Sequence, residues 1–267
     1  MRPSRVDFPL PEGPAMATNC RAGTSSVMSV STSTGRPPLS RRMESPRTVI
    51  MMQPYYTSGM RRLWAVALLA VSLASLSAAR LSAGEPHVIV AFGDSLTAGL
   101  GVRPEESYPS RLEARLRAAG YDYRVVNAGV SGDTTAGGLR RVDWALKSRP
   151  EIVIVALGAN DGLRGQDLKS VRSNLDAIVA RFQKAGAHVL LAGMEMPPNY
   201  GARYTTDFRA IFADVARKRG ATLMPFLLDG VAGNPRLNQP DGIHPTAEGY
   251  EAVSDCLWPY LQPLLRR

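Results

Sequence analysis

A serine hydroxyl becomes a nucleophile only when a neighbouring base removes its proton, so the three histidines of this chain limit where such chemistry can arise. His87 and His188 open β-rich runs and fall at their amino ends. His244 lies instead in Asp241-Gly242-Ile243-His244-Pro245, with a carboxylate three residues before it. That loop can turn one ring nitrogen to Asp241 and offer the other to a serine. The serine best placed to meet it is Ser95 in Gly93-Asp94-Ser95-Leu96, directly after the first β-rich run. Acyl transfer also needs donors for a developing oxyanion. The candidates are the backbone N–H of Ser95, the backbone N–H of Gly129, whose missing side chain leaves room for a tetrahedral intermediate, and the neutral side-chain amide of Asn160.

These residues share one surface only if the elements before them are parallel strands. Five β-rich runs are read at 87–92, 123–127, 152–157, 188–193 and 222–225. Between them lie helical patterns at 108–119, 134–147, 168–185 and 208–219, three of them ending at Gly120, Gly186 and Gly220. A last helix follows His244, with Pro245 suited to its first turn. Val153 to Leu157 is apolar without alternation, as a central strand covered on both faces should be. The alternation predicts an α/β fold, a three-layer α/β/α sandwich around a central five-stranded parallel sheet. In such sheets sites gather beyond the carboxyl ends of the strands, where Ser95, Gly129 and Asn160 each follow a strand.

The first 83 residues are different in kind. Residues 60–83 carry Arg61-Arg62, the apolar run Leu63 to Val71 and then small residues, which reads as a signal peptide cleaved after Ala79 or Ala83. The apolar core is shorter than the roughly 20 residues of a membrane-spanning helix. Residues 1–59 are rich in Ser, Thr, Pro and Arg and read as a doubtful extension or an over-extended start, leaving 84–267 as the folded domain. Residues 1–83 hold 10 Lys/Arg and 3 Asp/Glu, against 22 and 20 in the remainder, so most of the formal +9 lies outside that domain. The charge is therefore no argument for a nucleic-acid partner. Cys256 reads as a small packed residue and not as a catalytic thiol.

Taken together, Gly93-Asp94-Ser95-Leu96, the Gly129 loop, Gly158-Ala159-Asn160-Asp161 and Asp241-Gly242-Ile243-His244-Pro245 resemble, in order, the four blocks of the SGNH/GDSL hydrolases, from about Val88 to the C-terminus. The stretches Asn127 to Thr134, Asn160 to Gly165 and Pro198 to Gly201 are similar to the bacterial thioesterase I, lysophospholipase and arylesterase branch. The resemblance implies a flavodoxin-like sheet and hydrolysis of acyl esters and thioesters. It implies Ser95, Asp241 and His244 as catalytic residues, with Ser95, Gly129 and Asn160 as the oxyanion hole. A periplasmic or secreted monomer acting on a small-molecule substrate is expected, with no cofactor, metal, nucleic-acid partner or lasting membrane anchor. Two alternatives stay open: a carbohydrate acetylesterase with the same residues, and a non-catalytic nucleotide binder on a flavodoxin-like sheet.

Other residues admit two readings. Leu163 and Arg164 lie in a Gly-flanked loop that could gate the substrate, and Pro197 lies in Met194 to Tyr200, which could wall an acyl groove or simply pack. Arg164 and Arg203 could meet a phosphate or be solvated. Asp94 and Asp161 are expected to brace their loops, Asp133 to cap the following helix, and Ser131 to serve as a turn hydroxyl.

Overall fold

The protein is described by a computed structural model over residues 86–266. The leader and extension read at residues 1–83 lie outside the described residues. The strands are β1 (His87–Gly93), β2 (Tyr123–Gly129), β3 (Ile152–Ala156), β4 (His188–Ala192) and β5 (Thr222–Met224). The helices are α1 (Ser95–Ala98), α2 (Tyr108–Ala118), α3 (Thr135–Leu146), α4 (Ala159–Leu163), α5 (Leu168–Lys184), α6 (Ala202–Arg219) and α7 (Ala247–Leu261). All strand pairs are parallel, in the order β2-β1-β3-β4-β5. The strand order therefore reverses at β1, which places a topological switch point above it.

Every residue of β3 is buried, as its unbroken apolar run requires. In α5 the buried residues Val171, Leu175, Ile178, Val179 and Phe182 recur at three- and four-residue steps and form one apolar stripe. Asp167 caps this helix by accepting the Ser170 N–H at 3.0 Å. Helices α3, α5 and α6 pack side by side, and α2 packs with α7. Interhelical ion pairs lace these layers, including Arg172 with Asp214 and Arg219 with Asp176 between α5 and α6. Partly exposed pairs of this kind contribute about 0–1 kcal/mol each, so the layers hold mainly by apolar burial.

Four helices differ from expectation. Two short helices, α1 and α4, follow β1 and β3 where plain loops were read, and α6 begins six residues earlier than expected, at Ala202. Pro245 is not in the last helix: α7 starts at Ala247 with Thr246 as its cap, and Pro245 pairs with Asn238 in an isolated antiparallel bridge. Pairing of that kind fixes the strand-like course of the His244 loop before the helix begins.

Candidate active site

The parallel register aligns Gly93 with Gly129 on one side and with Ala156 on the other, so the chain leaves β1, β2 and β3 at one level. Ser95 is the first residue of α1, and its N–H therefore lies outside the intrahelical ladder. Asp94 caps the same helix through Oδ1, which accepts the Leu96 N–H at 3.0 Å.

His244 Nε2 lies 2.8 Å from Ser95 Oγ, a contact between residues 149 positions apart. Its Nδ1 lies 2.7 Å from Asp241 Oδ2. The other oxygen, Asp241 Oδ1, accepts the backbone N–H of Ile243 at 2.9 Å and of His244 at 3.0 Å. Partial burial pushes the Asp241 carboxyl up, but the His244 ring and these two N–H groups outweigh it and hold its pKa below the usual value. Gly242 sits between them at φ 71°, a conformation that side-chain-bearing residues rarely adopt. Gln239 ties this loop to the turn after α1, with Nε2 donating to Leu100 O at 2.7 Å and to Pro245 O at 2.8 Å.

Two of the expected oxyanion donors carry hydrogen bonds of their own. The Gly129 N–H donates to Asn127 Oδ1 at 3.0 Å, so it is already engaged. A Cβ at Gly129 would stand 2.2 Å from Ala98 N, so glycine is needed first for the close approach of α1 and not only for room above it. Asn160 Nδ2 donates to Asp94 Oδ2 at 3.3 Å, which leaves the second proton of its NH2 group for another acceptor. Asp94 is fully buried, and burial raises its pKa to about 6 against the opposing pull of the Leu96 N–H.

The remaining candidates sort by contact. Leu163 is half-buried; Arg164 is exposed and donates to Gly132 O at 3.1 Å. Their loop is tethered, since the Tyr200 hydroxyl donates to Leu163 O at 3.0 Å. Pro197 is buried, as are Met194 and Met196, so these three side chains pack inward, whereas Pro198 and Asn199 are exposed. Arg203 is solvated beside Asp207. Asp161 braces its loop by accepting the N–H and hydroxyl of Thr135 at 2.8 and 2.7 Å. Asp133 is not the cap of α3: Thr134 is, accepting the Gly137 N–H at 3.2 Å, while Asp133 Oδ2 accepts from Arg141 Nε at 2.7 Å. Arg141, Asn127 and Gln239 were not picked out from the sequence. An Asx pattern at Asn127-Ala128-Gly129 would have signalled one of them.

In sequence and fold the chain is similar to known acyl hydrolases. Residues 91–252 match the model of the GDSL-like lipase/acylhydrolase family. The esterase TesA of Pseudomonas aeruginosa is 42% identical over 180 residues, covering 67% of this chain and 90% of that protein. The thioesterase 1/protease 1/lysophospholipase L1 of Escherichia coli K12 is 35% identical over 184 residues, or 68% and 87% of the two chains. The crystal structure of AlinE4, an SGNH-hydrolase family esterase, is similar with a TM-score of 0.58 and 46% identity, covering 70% of this chain and 100% of that one.

Proposed function

The chain belongs to the GDSL-like lipase/acylhydrolase family and is an ester and thioester hydrolase, and on that premise we propose that Ser95, His244 and Asp241 form its triad. The observation that carries the proposal is the unbroken relay from Ser95 Oγ through the His244 ring to Asp241, at 2.8 and 2.7 Å.

His244 Nε2 takes the Ser95 proton as Oγ attacks the carbonyl carbon, and Asp241 stabilises the imidazolium that forms. The oxyanion is held by the Ser95 N–H, by the Gly129 N–H released from Asn127, and by the second Asn160 proton. His244 then protonates the departing alcohol or thiol, and water enters by the reverse sequence to free the acid. Leu100 and Val130, 45% and 46% exposed, supply apolar surface for the acyl chain. Leu100 is tied to the His244 loop and Val130 follows Gly129. Leu163 and Arg164 border the same cleft in this reading, with Pro197 supporting it from beneath.

Residues 60–83 are read as a signal peptide that sends a monomeric domain of 84–267 to the periplasm or medium. N-terminal sequencing of the secreted protein should give Arg80 or Gly84. Among the described residues no helix is long and apolar enough to cross a membrane.

Hydrolysis of p-nitrophenyl esters and acyl-CoA thioesters by the wild type, abolished in Ser95→Ala, is the expected result. Equal activity of the two proteins would refute the triad. A chain-length series with acetylated sugars as a separate arm assigns the acyl group.

A further inference from the structure

We propose that Arg141, on α3, is a positioning residue for the oxyanion-binding backbone, acting through the two peptide units that precede Asp94 and Gly129; this rests on the triad reading above. Its guanidinium is anchored at three points on the floor of the site. Nε donates to Asp133 Oδ2 at 2.7 Å, Nη1 to Ala128 O at 2.7 Å and Nη2 to Gly93 O at 2.8 Å. Cζ lies 4.0 Å over the centre of the Phe92 ring, and the Arg141 and Asp133 side chains are only 17% and 11% exposed.

The consequence follows from the planarity of the peptide bond. Ala128 C=O and Gly129 N–H belong to one rigid unit, so fixing the oxygen fixes the direction in which the N–H points. A cationic donor on that oxygen also draws electron density from the amide and makes its N–H a stronger donor. Nη2 fixes the Gly93–Asp94 unit in the same way, and Gly93 O additionally accepts the Val130 N–H at 3.0 Å. One planar fork thus ties the ends of β1 and β2 together beneath Ser95 and Gly129. A lysine cannot replace it, because a single ammonium on a flexible stem has no fixed fork to span both carbonyls and Asp133. Asp133 pairs the charge, which keeps a mostly buried guanidinium tolerable.

The test compares Arg141→Met and Arg141→Lys with wild type, with Ser95→Ala as control. Three quantities are read: kcat and KM on p-nitrophenyl butyrate, affinity for a boronic acid that forms a tetrahedral adduct on serine, and the 1H–15N resonance of Gly129. Arg141→Met is expected to lower kcat about ten- to a hundredfold, less than the roughly 10²–10³ lost with an oxyanion donor outright. KM should stay within about twofold, boronate affinity should fall in parallel with kcat/KM, and the Gly129 resonance should move. A folded Arg141→Met with kcat within about threefold of wild type overturns the proposal. So does a fall in kcat without loss of boronate affinity, which a loosened scaffold would give. Should Arg141→Met not fold, Arg141→Lys decides on the same threefold line; failure of both to fold overturns the proposal in favour of a purely structural role. Activity surviving in Ser95→Ala would instead sink the triad reading, whatever Arg141 does.

Discussion

Replacing Asp94 by asparagine should make the protein more stable at neutral pH and slower at its reaction. Asp94 is fully buried and its pKa is raised from 3.8 to about 6 by that burial. The folded chain therefore keeps a proton up to about pH 6 that the unfolded chain releases near pH 3.8. Between these values the folded state binds more protons, so stability falls as pH rises, and the loss is complete above about pH 6. At about 1.4 kcal/mol per unit, the penalty at pH 8 is on the order of 3 kcal/mol, and at pH 4 little of it remains. An asparagine side chain in its place would carry no such charge and could still accept the Leu96 N–H. Urea unfolding of both proteins at the two pH values isolates the effect, because all other titrating groups are common to them. The stability gap in favour of Asp94→Asn should widen by roughly 2–3 kcal/mol from pH 4 to pH 8. A gap that stays constant within about 0.5 kcal/mol would refute the reasoning. The same variant loses the anionic acceptor that orients Asn160, so kcat should drop while stability rises.

Two further outcomes follow from the site. Asn160→Ala should lower kcat roughly 10²–10³-fold with little change in KM, because its bond to substrate forms chiefly in the transition state; a pure KM effect in steady-state kinetics would reassign Asn160 to substrate binding. Gly129→Ala forces a methyl group against the Ala98 backbone, which cannot swing away as a side chain can; a loss of about 1–3 kcal/mol in thermal unfolding and a large fall in kcat are expected.

The sequence carried the sheet because β3 is apolar throughout and because the helices have clear stripes, as in α5. It also carried the contact between Ser95 and His244, although no spacing could encode a pair so far apart. What made it legible was elimination: two of three histidines sit at the amino ends of strands. The short helices α1 and α4 were illegible because four or five residues cannot display a 3.6-residue period. The start of α6 was hidden by Gly201 and by Thr205-Thr206, whose local preference opposes the helix that packing imposes. Asp133 looked like a cap because it precedes a helix by two residues. Its true partner, Arg141, lies eight residues on, beyond the three- and four-residue spacings by which helical neighbours are recognised.

The bond from the Gly129 N–H to Asn127 bears on what the proposed hole can discriminate. An ester carbonyl is no better an acceptor than the amide oxygen already in place, so a substrate in its ground state gains little by evicting Asn127. An alkoxide is a far better acceptor, and it wins the exchange. The tethered amide thereby sets a threshold on charge: it leaves binding of the uncharged ester nearly untouched and yields only when negative charge has begun to build, which lowers the barrier without deepening the well before it.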